Sequence, residues 1–290
     1  IELSSFQLEK VRNLDAKISI ITNLSNDHLD RYNNMNDYIK QKKNIINKNG
    51  INLISIDDKY SRKIFSQKKI NNKISFSILD RSANVYMGKD YILDNYFKKN
   101  QKLYIKNISK DFEGHFNKQN ILVAYICTKI LNLPERVFIR IIKTFRGLPF
   151  RSSITFEDKK LKIINNSKST NINSTINSIV NYKNIYLILG GIAKEKNFEI
   201  ITKYRNRIKF IYTYGESALF IEKKLKKTFD IKTFKSLGLV INQVFKDLNK
   251  INVKSNILFA PACSSYDQFK NFEERGIKFD QLIKQKLKHK

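Results

Sequence analysis

The stretch "NIYLILGG", residues 184–191, runs through five consecutive apolar residues and stops at two glycines. A strand with apolar side chains on successive positions buries both of its faces, as strands do in the middle of a parallel sheet. "IKFIYTYG" (208–215) and "NILFAPA" (256–262) repeat the form, with helical patterns near 198–206, from Glu216 and from about Leu239 between them, and a last helical stretch after them. Strand and helix in alternation give a doubly wound, mostly parallel sheet. Ligands in such sheets sit beyond the carboxyl ends of the strands, where "GGIAKEK" and "APACSS" fall.

Upstream of this region a hairpin is expected from "SSITFED" with "KLKIINN", followed by a helix beginning near Asn171. "FRGLPFR" (145–151) breaks the helical pattern with Gly147 and Pro149 and reads as the linker between two domains, 1–147 and 148–290. In the first of these, "KISIITNLS" (17–25) and "INLISID" (51–57) read as buried parallel strands, and a helix from Asn36 is expected to end at a cap formed by Gly50. "ISFSIL", "NVYMGKDYIL" and "KLYIKN" alternate as a small antiparallel patch would, and two helices follow. The whole is α/β, a mostly parallel sheet with an antiparallel patch followed by a Rossmann-like doubly wound domain.

No apolar run approaches the roughly 20 residues of a membrane span. Hydrophobic residues at 41% exclude a disordered chain, and a formal charge of +29 invites a nucleic-acid reading. The lysines are spread over every segment rather than gathered into a stripe, so the charge reads as compositional bias. Cys127 and Cys263 stand alone and no secretory leader is visible, which fits a reducing cytoplasm. The first methionine is Met35, and the opening residues read as the end of a core strand; a segment lost upstream is expected.

Taken singly, the chemical signals are open. Glu2 and His28 could hold a divalent metal or be solvated and structural. Lys42 and Lys43 could be an exposed cationic helix face. "INNSKSTNINST" (164–175) leads into a helix start that suits an anion or is simply well capped. Lys194 after the double glycine could pair with an anion, and Cys263 has no evident histidine base, which favours a structural thiol.

As an ordered set, "ELSSFQLE", "NDHLDRY", "YIKQKK", "GHFNKQN", "GLPFR", "NNSKSTN", "GGIAKE" and "PACSSYDQFKNFEERG" closely resembles the Mur ligase family, and in particular its D-glutamate-adding members. The resemblance implies a three-domain, ATP-dependent ligase joining D-glutamate to UDP-N-acetylmuramoyl-L-alanine through an acyl phosphate, monomeric and with no membrane or nucleic-acid partner. This chain would hold the later part of the ATPase domain and all of the amino-acid domain. The family's GxxxxGK[ST] phosphate loop does not occur among these 290 residues, so turnover by the chain alone is not expected. Folylpolyglutamate or cyanophycin synthetases, and a basic nucleic-acid-binding protein, are the alternatives.

By the same resemblance Glu2, His28 and a carbamylated Lys42 would place Mg2+, with the Lys42 and Lys43 register uncertain by one residue. His28, Lys42 and Lys168 match catalytic positions. Asn117, Asn120, Arg151 and Asn166 match nucleotide-binding positions, and Thr170, Lys194, Ser265 and the backbone at Phe272 match the D-glutamate site. Three residues depart from the family pattern: Phe116 and Phe150 stand where histidines are usual, and Asn166 replaces an aspartate, which predicts weaker ATP binding.

Overall fold

In the computed structural model the apolar runs become two six-stranded sheets, one in each of two units, Ile1–Arg146 and Gly147–Lys290. The structure describes residues 1–11, 14–25, 31–106, 108, 115–145, 147–248 and 253–288, without the side chains of 115 and 116.

The first unit runs α1 (Ser5–Lys10), β1 (Ile18–Ile21), α2 (Met35–Lys42), β2 (Ile51–Ser55), α3 (Lys59–Phe65), β3 (Lys73–Ser77), β4 (Val85–Met87), β5 (Tyr91–Asp94), β6 (Gln101–Tyr104), α4 (His115–Ile130) and α5 (Glu135–Thr144). The strands lie in sequence order; β1 to β4 are parallel, and β4–β5–β6 antiparallel. One face packs Leu53, Ile74, Phe76 and Val85 against Tyr125 and Phe138 of α4 and α5. The other packs Ile21 and Ile54 against Tyr38 and Ile64 of α2 and α3.

Two expectations change. "ISFSIL" belongs to the parallel part, because its alternating serines are not on a solvent face: Ser75 and Ser77 are buried and bonded to Asn84 and Asp57. Satisfied buried hydroxyls mimic the alternation of a half-exposed strand. Gly50 is not a helix cap, since α2 ends at Lys42 and passes into a 3-10 turn, Lys43–Ile45. Gly50 is small because a side chain there would collide with the carbonyl of Ala16.

The second unit runs β7 (Ser153–Glu157), β8 (Leu161–Asn165), α6 (Ile172–Ile179), β9 (Ile185–Gly190), a 3-10 segment Phe198–Tyr204, β10 (Ile208–Tyr214), α7 (Ala218–Leu225), β11 (Ile231–Phe234), α8 (Leu237–Leu248), β12 (Ser255–Ala262) and α9 (Phe272–Lys288). The sheet order is β11-β10-β9-β12-β8-β7, parallel except for the β7–β8 hairpin. α6, the 3-10 segment and α7 cover one face; α8 and α9 cover the other. Phe259 of β12 stacks on Phe279 of α9 with ring centroids 4.4 Å apart. The expected helix near 198–206 is a 3-10 segment, because Phe198 and Ile201 are buried three residues apart, the repeat of that tighter helix. β11 escapes sequence reading: it is an edge strand, half-buried throughout, with no apolar run to mark it.

Candidate functional site

In the second unit three loops meet at the carboxyl ends of adjacent strands β8, β12 and β9. From β9 the chain continues over the α6–α7 face, and from β12 it continues into α9 on the opposite face, so the crevice of a doubly wound sheet opens between these two strand ends. The double glycine is set by close approach. Gly190 has φ 151° and Gly191 φ 120°, and a side chain on either would strike the carbonyl of Tyr214 or of Ser264. Ile192 and Ser264 then exchange backbone hydrogen bonds, each 3.0 Å, stitching the β9 loop to the β12 loop.

The β8 loop is fixed from several sides. Asn166 N–H donates to the Phe259 carbonyl (2.8 Å) and Lys168 N–H to the carbonyl of Phe150 (3.1 Å), which sits at a left-handed φ of 61°. Ser167 Oγ donates to the carbonyl of Phe272 (2.8 Å), and Lys168 Nζ lies 4.3 Å from the centre of the Phe272 ring. Lys168 and Phe272, far apart in sequence, are therefore one cluster. Asn166 is buried, and its Nδ2 donates to Ser178 Oγ of α6 at 2.6 Å. Phe150 packs over Gly276, where a larger residue would meet its ring.

The start of α6 is capped from within the protein. Asn171 Oδ1 accepts from Ser174 N–H, and Glu195 Oε2 accepts from Ile172 N–H, both at 2.8 Å. The cap that "INNSKSTNINST" offered is present, with a carboxylate supplied by the residue after Lys194. Lys194 itself is exposed and Thr170 half-buried, while Ser265 is buried and its carbonyl accepts from Gln268 and Phe269 N–H.

Cys263 is fully buried, and burial pushes its thiol up to about 12, with Arg275 pulling only partly the other way. It is a packing residue rather than a thiolate. Sequence reading missed Arg275, which is 0% exposed on α9. Its Nε donates to Ser167 Oγ (3.0 Å), Nη1 to the Cys263 carbonyl (3.0 Å) and Nη2 to the Ser167 carbonyl (2.7 Å). The signal was the spacing: Arg275, Phe279 and Ile283 fall four residues apart and share the buried face of α9.

In the first unit, Lys42 and Lys43 turn to different surroundings. Lys42 Nζ donates to the carbonyl of Leu3 (3.2 Å), next to Glu2, whereas Lys43 Nζ donates to Gln67 Oε1 (2.9 Å). Asp58 caps α3 and also accepts from Leu24 N–H (3.2 Å). His28 lies outside the described residues, as does the Phe116 side chain. Among the described residues no three His, Cys, Asp or Glu side chains converge. Asn117, half-buried, and Asn120, exposed, are three residues apart on α4 and so share a face. Arg151 is exposed in the second unit.

Residues 1–128 match the Mur ligase middle domain. The chain is 37% identical over 291 aligned residues to the UDP-N-acetylmuramoylalanine--D-glutamate ligase of Rickettsia prowazekii, covering 98% of this chain and 64% of that protein. The enzyme of the same name from Buchnera aphidicola is also 37% identical, with the same two coverages. The chain thus spans just under two thirds of the length of these relatives. Among solved structures, the UDP-N-acetylmuramate-alanine ligase MurC of Thermotoga maritima aligns over 99% of this chain and 62% of its own, with TM-score 0.67 and 16% identity. A pseudomurein peptide ligase from Methanothermus fervidus aligns over 93% of this chain and 64% of its own, with TM-score 0.67 and 15% identity, a likeness of fold.

Proposed function

We propose that this chain is a member of the Mur ligase family and serves the ATP-dependent ligation of D-glutamate to UDP-N-acetylmuramoyl-L-alanine in peptidoglycan synthesis. The observation that carries the reading is the match to D-glutamate-adding ligases along nearly the whole chain. In this reading residues 1–147 are the later part of the ATPase domain and residues 148–290 the amino-acid domain. The substrate carboxylate takes the γ-phosphoryl group of ATP, and the free amine of D-glutamate displaces phosphate from the resulting acyl phosphate to form the amide.

The residues have distinct tasks. Lys168, Thr170, Lys194 and Ser265 hold the two carboxylates of D-glutamate, with the Phe272 segment as a wall; charge-assisted bonds of this kind contribute about 1.5–3 kcal/mol each. Asn117 and Asn120 face the nucleotide base, Arg151 its phosphates, and Asn166 its sugar once released from Ser178. An unmodified Lys42 is a cation, but its end lies beside the Glu2 segment, so carbamylation there would bring a second anionic end to that segment for Mg2+; His28, the third donor implied by the resemblance, lies outside the described residues. Bound Mg2+ would neutralise charge as phosphoryl transfer proceeds.

The test is calorimetric titration of the chain with D-glutamate, L-glutamate and duplex DNA. Saturable binding of D-glutamate over L-glutamate, weakened about 10-fold or more by Lys194→Ala or Ser265→Ala, is expected. Binding of both enantiomers alike, or unchanged affinity in either variant, overturns the assignment.

A further inference from the structure

Arg275 carries a charge that no ion pair among the described residues cancels. The three acceptors of its hydrogen bonds are neutral oxygens, and among the described residues no carboxylate lies within ion-pair distance of it. Removing a guanidinium from water without a counter-charge is costly, so a fold that retains one obtains something from it. Two consequences follow from where it sits. The rigid fork ties the β8 loop at Ser167 to the β12 loop at Cys263, two residues before Ser265 and one before Lys168. Its charge, held in no ion pair in a low-dielectric interior, also raises the potential of the crevice above. Beside it lies the fully buried Tyr214 hydroxyl, and the Asp267 carboxylate acts on the same Tyr214 and on Cys263 without forming an ion pair with Arg275.

We infer that Arg275 is a positioning residue of the D-glutamate site: it sets the spacing between the Lys168–Thr170 loop and Ser265, and lends the crevice the field that favours a dicarboxylate. This rests on the function proposed above. The substrate carboxylates add the counter-charge that no ion pair supplies, which makes the preference for two carboxylates over one a property of a side chain that never touches the ligand.

The test uses the whole chain with Arg275→Lys, Arg275→Met and, as a milder break, Ser167→Ala, which removes the acceptor of Nε. Amide hydrogen exchange reads loops 166–170 and 262–266, and calorimetry reads D-glutamate against D-glutamine, which lacks one carboxylate. Arg275→Lys keeps the charge but loses the fork: faster exchange in both loops and affinity lower by about 10- to 100-fold for both ligands are expected. Arg275→Met additionally removes the charge, so the preference for D-glutamate over D-glutamine should collapse. A merely structural role would weaken both ligands equally in all variants, and that result overturns the charge claim. A folded Arg275→Lys with the exchange and affinity of the parent overturns the positioning claim; if the Arg275 variants do not fold, unchanged exchange and affinity in Ser167→Ala overturn it instead. Failure of the parent chain to bind D-glutamate condemns the proposed function, whereas a parent that binds with variants that bind equally condemns only this inference.

Discussion

Cys263 shows how a residue beside a site can be chemically silent. Its thiol is raised by burial and walled in by β12 and the loops around it, so iodoacetamide at pH 8 should label it only after unfolding. Cys263→Ala should leave D-glutamate affinity unchanged and cost about 1–2 kcal/mol in a denaturant titration. Lys42 and Lys43 make the complementary case. One register was unreadable from adjacent identical residues, but their Nζ atoms reach the Leu3 carbonyl and Gln67 respectively. Isotope-labelled bicarbonate should therefore give a carbamate carbon signal in NMR that vanishes in Lys42→Ala and persists in Lys43→Ala. Persistence in Lys42→Ala would remove that lysine from the proposed metal site.

At the scale of elements, the β9 turn has no room for a side chain at either of its glycines. Gly191→Ala forces a side chain onto the Ser264 carbonyl at a left-handed φ, and a loss of about 2–4 kcal/mol is expected in chemical unfolding. A second element, the edge strand β11, is held to α8 through Lys232 Nζ and Asp247 (2.8 Å). Burial alone would raise the Asp247 carboxyl, but bonds from Lys232, Tyr212 and Gln243 bring it below its ordinary value. A depressed carboxyl stabilises the fold above its unfolded value, about 3.9, and loses that contribution as pH falls through the folded value. Stability should therefore decline below about pH 4 more steeply in the parent than in Asp247→Asn, as read from melting temperature against pH. The buried parallel strands were legible because their apolar runs have one physical cause, burial on both faces. β11 and "ISFSIL" were not, because an edge strand has no apolar run and buried serines imitate exposure. Arg275 was hidden for a related reason: charge is read as surface unless helical spacing is weighed against it.

For the molecule as a whole, the charge of +29 sets behaviour without setting function. Any association with DNA should be non-specific and fade steeply with salt, leaving D-glutamate binding in place. The site legible from the sequence was a set of loops, and the second unit brings the β8, β9 and β12 loops to one crevice through two glycines, one backbone bridge and one buried arginine. The most direct check on this account is a two-dimensional NMR titration of the chain with D-glutamate at moderate salt. Saturable shifts confined to the amides around Lys168–Thr170, Lys194 and Ser265, absent with L-glutamate, are the predicted result. Shifts scattered over the lysine-rich surface, or none at these three loops, would contradict it.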